Sequence, residues 1–180
     1  MAIGGGRLPQ FLDNYEGRKM RVLVDTIEKT FTRINGLLLA KKFNMRATRS
    51  TTQAIPNATQ TQVEYVTESW DVDGVYDVTT YRYTPGTAGY YQAYAQTQIT
   101  GLANGSYALM TLRKNGTDNT IGQKIFNTTG GSNDTASNVC GVIYLDENDY
   151  IDVTIEHNNG SSRNISASPT INMFSVYKVG

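Results

Sequence analysis

Residues 83–99, with the sequence YTPGTAGYYQAYAQTQI, point to the fold class of this chain. The part from Gly89 to Ile99 is rich in tyrosine and small polar residues, as expected of a β-strand. The sequence therefore predicts a strand here, and the same arrangement recurs through the rest of the chain.

Short runs of this kind predict seven further strands, separated by turn residues. Those strands are Val63–Trp70, Tyr76–Tyr83, Ser106–Lys114, Ile121–Phe126, Ser137–Leu145, Asp149–His157 and Ile171–Val179. Asp73-Gly74, Asn104-Gly105 and Asn115-Gly116 supply residues that tolerate the positive φ angles of tight turns. Eight strands at this spacing indicate an all-β sandwich or jelly roll over residues 64–180.

The composition supports this prediction and limits the alternatives. Among 180 residues there are 17 Gly and 12 Tyr, but one Cys, which excludes an intrachain disulfide framework. No run of 18 apolar residues occurs, so we expect no membrane span. The first residues lack the basic and apolar regions of a secretory signal peptide, so we expect no secretion.

Residues 1–63 lack the recurring strand-like runs of residues 64–180, which we call the head. We expect an irregular docking arm over residues 1–17, an amphipathic helix over residues 18–42 and a linker over residues 43–63, which shows no sustained period. The helix carries apolar residues at alternating spacings of four and three, a heptad pattern. The heptad residues, predicted for self-association, are Met20, Val24, Ile27, Phe31, Ile34 and Leu38. Packing on another protein is the alternative, and Gly36 predicts an end or a bend.

Charge is distributed unevenly along a chain whose formal net charge is zero. Residues 1–50 hold ten Lys or Arg and four Asp or Glu, a net of +6; residues 51–180 hold six and twelve, a net of −6. The acidic part argues against nucleic-acid binding by the head. The basic and apolar N-terminal residues are predicted to dock on a partner, with an arm that folds back on its own helix as the alternative. The docking residues are Leu8, Phe11, Leu12, Tyr15, Arg18, Lys19 and Arg21.

Four segments of the predicted head resemble, in order, the globular-head domain of the complement first component, which shares its jelly roll with tumour necrosis factor. These are the stretch from Tyr83 to Tyr91, the hairpin Leu112–Gly116, the pair from Val142 to Val153, and the closing strand Met173–Tyr177. Two glycines of the family pattern are absent, and a helical segment stands where that family has a collagen-like stalk. The resemblance implies a jelly-roll head that assembles as a homotrimer.

The crowded tyrosines are expected in the core and at contacts between subunits, or on a surface that stacks glycans. The predicted head interface comprises Tyr83, Tyr90, Tyr91, Tyr94, Phe174 and Tyr177. Trp70 is expected to be a core or interface anchor.

Residues with catalytic chemistry are scarce, so we expect no enzyme. His157 is the single histidine and is predicted in a solvated turn; Cys140 is predicted to be a small buried apolar residue. One Cys and one His are too few for a zinc site. The acidic groups at Asp71 and Asp73, and between Asp146 and Asp149, are predicted to be polar turns rather than calcium sites. We therefore expect no catalytic residue, no metal site and no cofactor.

Together these features predict a structural protein of a virion. It would be a trimeric capsid decoration, appendage or head–tail accessory protein of a bacteriophage. Its arm and helix would dock on capsid, portal or tail proteins, and its head would be displayed. The alternative is an adhesin or fibre tip that binds a host receptor or glycan.

Overall fold

The computed structural model describes residues 15–38 and 44–179, with side-chain environments for residues 18–32, 44–117 and 121–179. The chain divides into two units, residues 1–41 and 42–180, which are described separately.

The first unit contains one described helix, α1, from Tyr15 to Leu38. It begins three residues before the predicted start at residue 18 and runs through Gly36, so no end occurs at that glycine. Within α1, the hydroxyls of Thr26 and Thr30 donate to the carbonyl oxygens of Val22 and Thr26, which satisfies these polar groups within the helix. Residues 39–42 of the predicted helix lie outside the described residues.

The second unit, the head, consists of two antiparallel sheets. Sheet A holds β1 (Met45–Thr48), β2 (Gln53–Ile55), β4 (Thr67–Asp71), β7 (Gly89–Leu102), β10 (Asn133–Leu145), β12 (Arg163–Ile165) and β13 (Met173–Lys178). Its main order is β10-β7-β13-β1-β4, and β12 pairs with the end of β7 and with β2.

Sheet B holds β3 (Thr61–Gln62), β5 (Tyr76–Asp77), β6 (Arg82–Tyr83), β8 (Tyr107–Lys114), β9 (Thr117–Phe126) and β11 (Ile151–His157). Its order is β5-β6-β11-β8-β9, and β3 also pairs with β11. Two sheets of this kind form the predicted jelly-roll sandwich behind an N-terminal helical segment, so the predicted fold class is confirmed.

The core lies between the two sheets because every second side chain of each long strand points inwards. On β7 the inward residues include Tyr91, Ala93 and Ala95, all fully buried. The ring of Phe174 on β13 lies 5.8 Å from that of Tyr65. Burial raises the pKa of the Tyr65 phenol well above its ordinary value, and its hydroxyl lies 2.8 Å from the Thr97 hydroxyl. This phenol therefore remains neutral and is packed within the core.

The head begins earlier than the sequence predicts. Residues 43–63, expected to be a linker, contribute β1, β2 and β3, so the structured head includes residues 45–62. The predicted strand Val63–Trp70 is shorter and shifted, as β4. The predicted strand Tyr76–Tyr83 is two short strands separated by a turn, with φ of 56° at Tyr81.

The predicted tight turns are present. Asp73 and Gly74 both adopt positive φ, as do Asn115 and Gly116 between β8 and β9. Between the paired strands β8 and β9, two successive positive φ values match the right-handed twist of the hairpin, which explains why Asn-Gly stands there. At Asn104-Gly105, Gly105 supplies the positive φ.

Candidate interaction surfaces of the head

The outer face of sheet A, defined by outward side chains of β10, β7, β13, β1 and β4, is the first candidate surface. Strand register places these side chains in four cross-strand rows. The rows are Tyr144–Tyr90; Val142–Gln92–Tyr177; Cys140–Tyr94–Ser175–Arg46–Trp70; and Asn138–Gln96–Met173–Thr48. Of the side chains in these rows, Arg46 alone carries a formal charge.

One end of this face is apolar and exposed. Four side chains there, which we call the apolar patch, are Tyr90, Val142, Tyr144 and Tyr177, with 55%, 55%, 46% and 43% of their surfaces exposed. The rings of Tyr90 and Tyr144 meet edge to face, with centroids 5.3 Å apart. Aromatic residues grouped in an uncharged setting are typical of the centre of a protein–protein interface.

The middle of the face carries neutral polar groups. The side-chain amide of Gln92 lies 3.6 Å from the Cys140 sulfur, and the Tyr94 hydroxyl donates to the Gln96 side chain. At the far edge, the Arg46 guanidinium lies 5.6 Å from the centre of the Trp70 ring. The neutral groups of the middle pair with one another, so their burial would not leave them without hydrogen-bond partners.

The structure divides the predicted head interface into two groups. Tyr90 and Tyr177 are exposed on the outer face, and Tyr94 is half-buried there. Tyr83, Tyr91 and Phe174 are fully buried, so their prediction as interface residues is wrong: they point inwards into the core. Val142 and Tyr144 were not predicted as interface residues, although their spacing of two residues along one predicted strand places them on the same face.

A further sequence prediction is wrong. Cys140 is exposed on β10, because residues alternate along this strand and Val139 takes the inward position. Trp70, expected to be a core or interface anchor, is 48% exposed at the edge strand β4; it does not lie in the core, and its role as an interface anchor stays a prediction.

His157 is also not in a solvated turn. It is the last residue of β11 and is fully buried. Its Nε2 donates to the Ile55 carbonyl oxygen at 3.0 Å, and its Nδ1 accepts from the Asn159 amide at 3.3 Å. Both nitrogens therefore have a structural role, and the ring cannot reach a substrate.

Acidic side chains of the head have structural partners. The Asp152 carboxylate is fully buried in sheet B and accepts two hydrogen bonds from Arg113, at 2.8 and 2.6 Å. In the turn at residues 146–149, hydrogen bonds from Lys114, Asn115 and the Asp146 amide hold the pKa of Asp149 at about 2, below its ordinary value. Within residues 15–38 and 44–179, no group of three or more His, Cys, Asp or Glu side chains is arranged to hold a metal ion.

The helix α1 presents its heptad residues to solvent. Met20, Val24, Ile27 and Phe31 are each about half exposed or more, between 45% and 63%. Ile34 and Leu38 follow in the same helix, although their side chains lie outside the described set. The heptad positions thus carry an exposed apolar stripe, which we call the helix seam.

The predicted docking residues fall mainly at the start of the chain. Arg18, Lys19 and Arg21 are exposed in the first turns of α1. Tyr15 is the first residue of the helix; its side chain, together with Leu8, Phe11 and Leu12, lies outside the described residues. Their docking role stays a prediction. Among the helices that the structure describes, none is long and apolar enough to cross a membrane.

A second candidate surface lies where β9 ends and β10 begins. Loops at this end of the head are joined by asparagine side chains: Asn104 accepts from the Gly130 amide, Asn158 from the Tyr107 amide and Asn159 from the Ala103 amide. We call it the Asn-rich end. It contains a cavity of about 390 Å³ lined by residues 126–129 and 133–136, which we call the polar cup.

Comparison with solved structures places this architecture among known folds. Eiger TNF from S. frugiperda matches with a TM-score of 0.58 at 12% identity, covering 78% of this chain and 94% of that one. Murine APRIL matches with a TM-score of 0.54 at 15% identity, covering 77% and 100%. The globular domain of a zebrafish complement 1qA protein gives a TM-score of 0.49 at 12% identity, covering 77% and 98%.

No protein-family model and no curated protein matches the sequence. Identities this low establish similarity of fold alone. The head is a jelly roll of the tumour necrosis factor type.

Proposed function

We propose that this protein is a non-enzymatic structural protein whose head assembles as a homotrimer through the outer face of sheet A. The apolar patch on that face is the observation that carries the proposal. Four large side chains exposed together on a charge-poor sheet face are typical of an interaction site rather than of a free surface. In a cyclic trimer, each copy contributes this face and a different patch that meets it on the next copy.

The helix seam supports the same assembly. An apolar heptad stripe favours packing of α1 against copies of itself, and Val24, Phe31 and Leu38 at one core position do not restrict the helices to two strands. The stripe spans fewer than three heptads, so α1 alone would associate weakly. We propose that contacts of the head and of the helix together stabilise the trimer.

The trimer is proposed to be a virion component, a capsid decoration, appendage or head–tail accessory protein. Residues 1–50 carry a net charge of +6 and residues 51–180 a net charge of −6. This difference, together with the apolar residues Leu8, Phe11 and Leu12, supports docking by the N-terminal segment and outward projection of the head. The acidic head would then remain soluble on the particle surface, and the basic segment would meet an acidic partner surface. The partners would be capsid, portal or tail proteins.

Particle incorporation tests this role. Full-length chain and a form comprising residues 44–180 would each be produced in cells making the virus particles, and particles would be purified on a density gradient. We expect full-length chain to band with the particles and the shorter form to remain at the top as a folded protein. Incorporation of the shorter form, or exclusion of both, would contradict docking by the N-terminal segment.

A second candidate function is a tip that binds a receptor or glycan on a host. The Asn-rich end favours it, since its loops are held rigid and surround a cavity with an exposed aromatic wall. Functional groups on loops that a rigid scaffold positions are a common basis of recognition.

A further inference from the structure

Phe126, the last residue of β9, forms one wall of the polar cup and is 54% exposed. Its orientation is fixed by Tyr107, whose ring meets it edge to face with centroids 6.0 Å apart. The Tyr107 side chain is itself held in place, because its hydroxyl donates to Glu156 at 2.7 Å and Lys124 Nζ lies 4.1 Å from the centre of its ring. The cup therefore has a preset aromatic wall.

The loop that forms the cup floor is organised by a single buried side chain. Asn127 is 4% exposed, and its amide nitrogen donates to the carbonyl oxygens of Leu102 and Gly131, at 2.5 and 2.9 Å. Its amide oxygen accepts from the backbone and the hydroxyl of Thr129. A site that is already ordered loses less conformational entropy when a ligand binds.

The remaining lining residues are short, and all but Ala136 are polar. Hydroxyls and an amide come from Thr128, Thr129 and Asn133, and Asp134 is the one charged residue among the described residues of the lining. One Asp134 oxygen accepts from the Gly101 amide at 2.9 Å, and a carboxylate has capacity for further hydrogen bonds. The negative charge of Asp134 disfavours binding of anionic ligands such as phosphate or sialic acid. The apolar Phe126 ring disfavours binding of a bare ion.

We propose that the polar cup is a binding site for a neutral saccharide. A hexose ring has a C–H face that can stack on Phe126, and hydroxyls that can donate to Asp134 and pair with Asn133. A volume of about 390 Å³ is at the small end of ligand sites, which suits one or two sugar rings. The site deepens the second candidate function, and it rests on the described head alone.

The cup lies at the opposite end of β10 from the apolar patch. Asp134 and Val142 are eight residues apart on β10, or roughly 26 Å along an extended strand. Loss of saccharide binding and loss of trimerisation can therefore be measured independently.

The test uses labelled full-length protein on an array of neutral and sialylated oligosaccharides, followed by titration calorimetry with the neutral glycans that bind. We expect binding to at least one neutral oligosaccharide and to none that requires sialic acid. Phe126→Ala should weaken binding at least tenfold, whereas Phe126→Trp, which keeps an aromatic wall, should bind within threefold of wild type. Val78→Ala, which truncates an exposed apolar side chain in the turn between β5 and β6, is the matched control and should leave binding unchanged.

Asp134→Asn provides a second variant, because an amide oxygen can still accept from the Gly101 amide while the charge is lost; a reduction of about fivefold is expected. Light scattering checks that each variant keeps the mass of the wild type. Absence of binding across the array, binding restricted to sialylated glycans, or wild-type affinity of both Phe126→Ala and Asp134→Asn would overturn the proposal.

Discussion

Asp149 shows how one side chain holds a turn of the head. Its carboxylate lies 2.6 Å from Lys114 Nζ and accepts from the Asn115 side chain at 2.7 Å and the Asp146 amide at 2.8 Å. Hydrogen bonds of this kind favour the charged form, which is why the pKa of Asp149 is lowered to about 2. The turn therefore stabilises the folded state as long as Asp149 is ionised.

A change of this residue gives a pH-dependent prediction. The folded-state pKa is below the unfolded value, so the stabilisation is present above about pH 4 and is lost as the pH falls through about 2. Asp149→Ala should lower the free energy of unfolding by about 1 kcal/mol at pH 7, a modest value because water screens the pair. Urea unfolding should show this difference shrinking between pH 4 and 2. Asp146→Ala, in the same turn, should have little effect at either pH; equal effects of the two variants would contradict this role.

Gly141 shows how closely the sheets approach at the β9–β10 edge. A Cβ at this position would lie 1.9 Å from Ile121 Cδ1, while the next atom, Ile121 Cγ1, would be at 3.2 Å. Any larger residue therefore requires the Ile121 side chain to shift, whereas the backbone conformation does not require glycine here.

We expect Gly141→Ala to destabilise the head by about 1–3 kcal/mol, the usual range for overpacking. Ile121→Val removes the clashing atom, so the double variant should regain most of the loss, and urea unfolding of all three proteins measures the coupling. Gly131→Ala, where a Cβ would meet only the Asn133 side chain at 3.9 Å, should change stability by less than about 0.5 kcal/mol. Additive effects of the Gly141 and Ile121 changes would contradict the contact.

At the scale of elements, the long strands were predictable and the short ones were not. Alternation over β7, β8 and β10 is a strong signal because eight or more residues repeat the period. By contrast, β1, β2 and β3 have two to four residues, too few to show a period, and they are stabilised by pairing with distant strands.

The faces of the strands were harder to predict than the strands themselves. Tyr90 and Tyr91 are adjacent and equally aromatic, yet the first is 55% exposed and the second fully buried. Their orientation depends on the register of β7 with β10 and β13, which a single sequence does not reveal. For the same reason, the sequence did not predict that Cys140 is exposed and His157 is buried.

A substitution on the outer face of sheet A tests whether this face forms the contact between copies. Val142→Glu places a charge in the apolar patch, and because Val142 is 55% exposed the fold should tolerate it. An unpaired charge in a buried contact is strongly unfavourable, so we expect dissociation to the single 19.8-kDa chain with an unchanged circular dichroism spectrum. Val78→Glu, outside this face, should leave the assembly intact. Assembly that persists in Val142→Glu would place the contact elsewhere.

At the scale of the whole molecule, the two chain parts have different characters. The helix carries an exposed apolar seam, whereas the head has its own core between two sheets, and its first strand begins at residue 45 instead of after residue 63. The head defined by structure includes Arg46 and Arg49, so the charge boundary and the fold boundary do not coincide. Arg49 is nearly buried and donates to the carbonyl oxygens of Glu64 and Thr52, which ties it to the head.

The solution mass of the purified full-length chain tests whether the protein forms a homotrimer. Light scattering coupled to size exclusion would measure that mass at several protein concentrations. A homotrimer predicts about 59 kDa, three times the 19.8-kDa chain, independent of dilution through the micromolar range. A mass of 19.8 kDa at all concentrations would contradict the proposed trimer, because the apolar patch and the helix seam would then both be exposed in a monomer.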